Sequence, residues 1–486
     1  MQKTPKYNKI CRENGGIKLN ISNEIKTQKQ YIDKVKEIND NKEKFYNILT
    51  MGCQLNENDS EKLCGMLEEM GYSKTDDINK ADIALFNTCC VRENAEERLF
   101  GKLGELKKLR EEKGILIAIG GCMMQEKHIT DKIKRSYPFV DILFGTHTLH
   151  KFPEDLYKVL KDKKQQEDIL DIDGKIYEGL PIKRDNNFKA SVTIMNGCNN
   201  FCSYCIVPYV RGRERSRQPI DIINEVKELA DKGYKEITLL GQNVNSYLRA
   251  EREKGVQLEG VNSFATLLKE INKIEGIERI RFISPHPKDF TDDVIEAIAS
   301  CDKVCKLVHL PLQAGNSKVL KQMNRKYTKE QYMDLVDKMK NNIPNLTLST
   351  DIIVGFPGET DEEFEDTLDV VRKVNYEQVY MFIYSRRVGT PGDRMENQVP
   401  EDVKHIRFNK LKSLVESQIA QNNQKYLDTT QKVLVEGISK NNDKMLTGRT
   451  DSNKVVVFEG DENLIGTMQN INIISEHMWY LKGVIK

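Results

Sequence analysis

Two rhythms of apolar residues alternate along the chain. Short apolar runs end in a glycine, a cysteine or a polar turn, and helical spacing follows most of them. FYNILTMGC reads as a strand that ends at Cys53, and DSEKLCGMLEEMG, 59–71, has helical period with an Asp start and a Gly stop. ADIALFNTC predicts a second strand ending at Cys89, NAEERLFGKLGELKKLREEKG a second helix, ILIAIGGC a third strand ending at Cys122, and VDILFGT a fourth. Strand–helix alternation of this kind predicts a parallel sheet, and ligands of such sheets sit beyond the carboxyl ends of the strands. Cys53, Cys89 and Cys122 each stand at one of those ends.

A second series starts near residue 188 with ASVTIMNGC, EITLLGQNVNSY, RIRFISPHP, KLVHLPLQAG, LTLSTDIIVGFPGE and QVYMFIYS. Six such units predict an open or partial (β/α) barrel; a closed eight-stranded one needs more chain. Residues 402–427 read as a long polar helix, and 431–486 as short β-rich runs forming a small all-β barrel of the size class that often binds nucleic acid. The expected fold class is α/β: an N-terminal parallel sheet domain, a central partial barrel and a small all-β barrel. The expected boundaries are a charged extension at 1–43, partly helical or disordered, a first domain at 44–162, a linker at 163–187, a core at 188–420 and a last domain at 421–486. Within the linker, DILDIDGKIYEGLPI has the makings of a short strand or hairpin.

Composition changes this picture little. The 486 residues carry a formal net charge of +1, so any polyanion surface must be a local basic patch. No apolar run reaches the length of a membrane span, and the N-terminus has no signal-peptide core, so a cytoplasmic protein is expected. In a reducing compartment the 11 cysteines are not expected to form structural disulfides. Cys64, Cys301 and Cys305 read as small buried apolar residues.

The cysteines that follow strands are different. CNNFCSYC, 198–205, brings Cys198, Cys202 and Cys205 together just after the first strand of the second series. A structural zinc site normally takes four ligands, and a catalytic zinc usually takes histidines. A 4Fe–4S cluster held by three cysteines keeps one iron open to a substrate or cofactor. Cys53, Cys89 and Cys122 are also three; buried strand-end thiols remain the alternative for them.

The C-x3-C-x2-C spacing in this position resembles the radical S-adenosylmethionine (SAM) superfamily. GCQLNENDSE, NTCCVRENAEE and GGCMMQE, with NGCNNFCSYCIVPYVRGRERSR, LLGQNVNSY, HLPLQAGN, DIIVGFPGETDEEF and YSRRVGTPGDRM, resemble the methylthiotransferases within it, and the last domain resembles the RNA-binding TRAM domain. The resemblance implies two 4Fe–4S clusters, one on Cys53, Cys89 and Cys122 and one on Cys198, Cys202 and Cys205. It implies SAM as both methyl donor and radical source, and a methylthio group delivered to carbon 2 of N6-dimethylallyladenosine beside the anticodon of tRNA. NTCCVRE and CIVPYVRGRERSR favour that branch over the one acting on threonylcarbamoyladenosine; an iron–sulfur RNA-binding regulator without catalysis is the reading from another class. Cys90 adjoins Cys89, and the match to NTC favours Cys89 as ligand. SAM contacts are expected from Gln242, Asn243, Ser284, Gln313 and Gly355, with His286 and His309 as further cavity candidates. Arg211, Arg213, Arg215, Arg449 and Lys454 are expected on the RNA surface, with Arg217, Lys432 and Lys482 as further basic candidates. The expected partners are the tRNA anticodon stem-loop and an electron donor such as flavodoxin or ferredoxin, with no membrane; a monomer is expected.

Overall fold

The computed structural model describes residues 15–40, 42–91, 95–170, 175–256, 258, 260–440 and 442–486. Its first sheet has six parallel strands in the order Tyr72–Lys74, Lys44–Thr50, Ile83–Thr88, Leu116–Gly121, Ile142–Phe144 and Gln166–Asp168. The middle strand Ile83–Thr88 is buried at every position, as a strand covered on both faces must be. The helix Gln54–Glu69 lies on one face and seals Leu63, Met66 and Leu67 from water, each worth roughly 2 kcal/mol. Ala95–Lys113 buries Leu99, Leu103 and Leu106 in a separate apolar cluster with Phe86, Ile117 and Ile119.

In the extension expected to be partly helical or disordered, the helix Gly15–Asn39 docks on the first domain: Ile32 and Val35 enter its core, and Asn39 Nδ2 donates to the Met70 carbonyl at 2.9 Å. Residues 1–14 of the extension lie outside the described residues. The short edge strand Tyr72–Lys74 adds to the four strands expected in this sheet. Gln166–Asp168, inside the predicted linker, supplies the sheet's edge strand, while residues 175–183 run without regular structure against the helix Gln54–Glu69. There Gly65 leaves room for the chain: a Cβ on it would stand 2.6 Å from the Pro181 carbonyl.

The core is a partial barrel of six parallel strands in two sheets. Lys189–Thr193, Glu236–Leu240 and Arg279–Phe282 form one; Leu307–His309, Thr347–Val354 and Gln378–Ile383 form the other. An isolated parallel bridge, Ile280–Val304, ties the edge of the first sheet to the segment that leads into Leu307–His309. The helix Asp361–Val374 starts directly after the turn GFPGE because Thr360 and Glu363 close a reciprocal capping box. The helix Glu401–Gln424 packs Leu411, Val415 and Ile419 onto this core. Five strands from Thr430 to Ile485 close the last barrel. Arg279 and Arg281 clamp it to the core by donating to the carbonyls of Lys432, Arg449, Thr450 and Asp451 at 2.6–2.9 Å. Polar contacts also lock the first domain on the core: Thr193 Oγ1 donates to Asn58 Oδ1 at 2.9 Å, and Arg184 joins Glu61 to Glu225 at 2.6 and 2.5 Å.

Candidate active site between two cysteine triplets

The three strand-end cysteines of the first sheet meet around Asn56, which is fully buried. Its Nδ2 donates to the carbonyls of Met51 at 2.9 Å and Thr88 at 2.8 Å, tying the turn before Cys53 to the turn before Cys89. Its Oδ1 stands 3.7 Å from the Cys122 sulfur, which completes the set. Gly52 makes the approach possible. Its φ is +109°, and a Cβ there would lie 2.6 Å from the Cys89 sulfur. Cys53 is exposed at the start of the helix Gln54–Glu69, whereas Cys89 and Cys122 are buried.

Cys89 and Cys90 lie just past the strand Ile83–Thr88 and fall in different apolar clusters. Cys90 packs with Cys122, Ile206 and Val210 in one apolar cluster. The adjacent Cys90 thiol first, and then the nearby Arg211 guanidinium, draw the Cys122 thiol down to about 6, while Cys90 is pushed well up.

On the core side, the 198–205 loop is strung between two supports. Gly197 has φ +80°, and a Cβ there would strike the Arg213 carbonyl at 2.0 Å. Ser203 N donates to the Met323 carbonyl at 2.9 Å, and Asn324 Nδ2 donates to the Phe201 carbonyl at 2.8 Å. Arg325, buried, donates to the Cys202 sulfur at 3.4 Å. Burial pushes the Cys198 and Cys205 thiols up to about 12, so metal ligation is what would deprotonate them.

The two triplets are neighbours. Residues 206–210 directly follow Cys205, and Ile206 and Val210 pack on Cys90 and Cys122. Thr146 Oγ1, at the end of the first sheet, donates to the Val210 carbonyl at 2.7 Å. Among the described residues no three His, Cys, Asp or Glu side chains converge to hold a single metal ion. A four-iron cluster puts each cysteine on its own corner and needs no such convergence. Two sets of three unbridged thiols, each on a glycine-relieved loop, fit such a cluster with one corner left for a non-protein ligand.

The predicted SAM residues stand at the barrel's carboxyl rim, with the cysteine loop. Gln242 Oε1 accepts from Gly197 N at 2.7 Å and so braces that loop. Asn243 is buried; its Nδ2 donates to Asp289 at 2.8 Å, and its Oδ1 has no partner. Ser284 and Gln313 hold positive φ angles of 59° and 71°. The Gln313 backbone pairs with the strand Thr347–Val354. Gly355 N donates to Glu359 at 2.7 Å, and a Cβ on Gly355 would meet Lys404 Cγ at 2.3 Å, so its backbone is packed under the helix Glu401–Gln424. His286 is buried with Nε2 unpartnered, and burial holds it well below its ordinary value, hence neutral. His309 pairs with Asp351 at 3.3 Å.

The predicted RNA residues divide. Arg211 is 5% exposed and lies between the two domains, so it is no phosphate contact. Lys454 is likewise spent on a barrel-to-core ion pair with Glu377 at 2.9 Å, its side chain 12% exposed. Arg217 is held by Glu178 and Glu225 at 2.7 Å. Arg449 binds Glu436 at 3.3 Å, and Lys432 binds Glu278 at 3.0 Å. Arg215 is half-buried, donating to the Arg211 carbonyl at 2.9 Å. Arg213 is exposed, its guanidinium 4.3 Å from the Phe201 ring centre, and Lys482 is exposed on the barrel.

Sequence reasoning missed Asn56, Arg325 and Trp479. Asn56 lies inside the quoted GCQLNENDSE, which is signal enough. Trp479 is 65% exposed on the last hairpin of the barrel. Beside it His477 stacks on Tyr480 at 4.3 Å, and Asn423 Nδ2 anchors the His477 carbonyl at 2.7 Å.

Residues 192–371 match the Radical SAM superfamily, 45–145 an uncharacterized protein family, UPF0004, and 424–486 the TRAM domain. The chain is 53% identical over 469 residues to the tRNA-2-methylthio-N(6)-dimethylallyladenosine synthase of Acetivibrio thermocellus, covering 95% of this chain and 96% of that one. It is 54% identical over 443 residues to the protein of the same name from Clostridium perfringens, covering 91% and 98%. Among solved structures it resembles TsrM, a radical SAM methyltransferase of Kitasatospora setae, with TM-score 0.53 and 14% identity over 72% of this chain and 77% of that one. That last likeness is one of fold.

Proposed function

We propose that this chain, which belongs to the family of the tRNA-2-methylthio-N(6)-dimethylallyladenosine synthases, is a radical SAM methylthiotransferase that adds a methylthio group to carbon 2 of N6-dimethylallyladenosine beside the anticodon of tRNA. Its cofactors are two 4Fe–4S clusters and SAM, which together supply the methyl group, the radical and the site that carries the sulfur.

Cys53, Cys89 and Cys122 hold one cluster, and Cys198, Cys202 and Cys205 the other. Asn56 and Gly52 fix the spacing of the first set; Gly197, Gln242 and Arg325 fix that of the second. Neutral His286 and the buried amide of Asn243 offer acceptors at the rim where SAM would lie. The single observation that supports the reading most is the packing of Cys90 and Cys122 on Ile206 and Val210, which makes the two triplets neighbours. A base modified between them must leave its stack, which an anticodon loop allows.

The RNA surface of this reading consists of Arg213, Lys482 and the Trp479 hairpin, a stacking platform for unpaired bases. The electron donor is a flavodoxin or ferredoxin, the protein acts as a monomer in the cytoplasm, the first domain runs on through the edge strand Gln166–Asp168, and the last barrel begins after the helix Glu401–Gln424. Among the described residues no helix is long and apolar enough to cross a membrane.

The test is anaerobic turnover of the reconstituted protein with SAM and a prenylated anticodon stem-loop, read by nucleoside mass. The product should gain one methylthio group; unprenylated and threonylcarbamoylated stem-loops should stay unchanged. Methylthiolation of the threonylcarbamoylated loop alone would refute the proposed substrate.

A further inference from the structure

We propose that Arg211 is a positioning residue of the N-terminal cluster. Reaching across from the core, it donates to the Cys122 sulfur and sets a fixed positive charge against the metal group. This rests on the reading of Cys53, Cys89 and Cys122 as cluster ligands.

Arg211 stands six residues beyond Cys205, in a run of arginines that looks solvent-facing in the sequence. In the fold it is 5% exposed. Its Nε is 3.2 Å from the Cys122 sulfur; its Nη2 donates to Asn56 Oδ1 at 2.6 Å and to Asp59 Oδ2 at 2.8 Å. Burying a guanidinium is unfavourable unless it is paired. Asp59 supplies the pair, and Asn56, already the hub of the three cysteine turns, supplies a second acceptor.

The division of labour within the guanidinium is informative. Both oxygen acceptors are taken by one nitrogen, Nη2, while Nε points at sulfur. An interdomain salt bridge alone would not need that second direction. A guanidinium is also a planar fork that does not lose its proton in proteins, so its charge at the sulfur does not vary with pH.

N–H···S bonds and nearby positive charge stabilise the electron-rich, reduced state of an iron–sulfur cluster and raise its reduction potential. Arg211 would do this for the N-terminal cluster from a loop of the core. The cluster's potential would then depend on the docking of the two domains: separating them withdraws the charge.

The test uses the full chain with Cys198, Cys202 and Cys205 replaced by alanine, so that only the N-terminal cluster can form. Iron is counted after anaerobic reconstitution, and the midpoint is read by redox titration followed by electron paramagnetic resonance. The parent should hold about four iron atoms. Arg211→Gln should keep them and titrate at a more negative potential. Arg211→Lys, which keeps the charge and loses the Nε donor, should fall between the two. Equal midpoints for the parent and Arg211→Gln overturn the proposal. Should Arg211→Gln fail to fold, Arg211→Lys decides, and a midpoint equal to the parent's overturns it. A parent that binds no iron overturns the ligand assignment itself, before Arg211 is touched.

Discussion

Arg325 donates to the sulfur of Cys202 at 3.4 Å from a buried position. The same guanidinium donates to the Pro311 carbonyl at 3.1 Å and to the Tyr327 hydroxyl at 2.9 Å. Removing it takes a charged donor from the Tyr327 and Tyr204 hydroxyls and from the Cys202 sulfur, while the Pro311 carbonyl keeps the Tyr327 hydroxyl. Arg325→Met should destabilise the apoprotein by on the order of 3 kcal/mol, read as a lower urea midpoint. It should also cut the iron of the reconstituted protein from about eight atoms toward about four. Unchanged iron and an unchanged midpoint would show that the residue is a passive filler.

Cys89 and Cys90 make a direct comparison. Gly52 abuts the Cys89 sulfur, while Cys90 packs toward the core turn with Cys122. Cys89→Ser should therefore lose the N-terminal cluster, and Cys90→Ser should retain both. Iron and sulfide counts on the two variants check this; the reverse pattern would move the ligand to Cys90.

Gly52→Ala asks whether the turn itself matters. The new methyl would lie 2.5 Å from Cys89 Cβ at a φ of +109°, so the Cys53 turn must shift. The expected result is selective loss of about four iron atoms, with the core cluster's SAM-dependent spectral change intact.

Asp155 sits 3% exposed on the helix Phe152–Asp162, and its Oδ2 has no donor. Burial first, and then the Asp168 charge, raises its carboxyl to about 7. The folded state thus holds a proton that the unfolded chain, titrating near the ordinary Asp value of about 4, has released. Its stabilising contribution is complete below about pH 4 and is lost as pH rises to about 7. Asp155→Asn should remove this slope and leave the first domain more stable than the parent at pH 8, by on the order of 3 kcal/mol. Thermal melts between pH 5 and 8 measure it; parallel curves for the two proteins would contradict it.

Trp479 is the chain's single tryptophan, so its fluorescence reports one place. Its exposure and the stacked His477–Tyr480 pair beside it suit an unpaired base. A stem-loop RNA should quench the emission, and a fully paired duplex of equal length should not. Trp479→Ala should weaken binding about tenfold, since base stacking on an aromatic ring contributes roughly 1–3 kcal/mol, as read by anisotropy of labelled RNA.

Much of this architecture could be read along the chain. Strand runs such as ILIAIGGC and helices such as the one carrying Leu63, Met66 and Leu67 announce themselves because burial repeats at the period of the element. The cysteines follow from that, since a residue at the end of a parallel strand lies at the sheet's functional edge wherever the strand is placed. The six strands of the core and the five of the last barrel were legible for the same reason.

Charged residues were not legible in this way. Arg211 and Lys454 look like surface cations in the sequence, and the fold buries both against acids, Asp59 and Glu377, that are far off along the chain. The docking of the helix Gly15–Asn39 and the edge strand Gln166–Asp168 carry too little apolar pattern to be placed from the chain alone. Periodicity records which face of an element is buried, a local property the sequence determined by itself. Which element lies opposite, and hence whether a charge meets water, a carboxylate or a sulfur, depends on pairings between distant segments, and only the tertiary structure decided those.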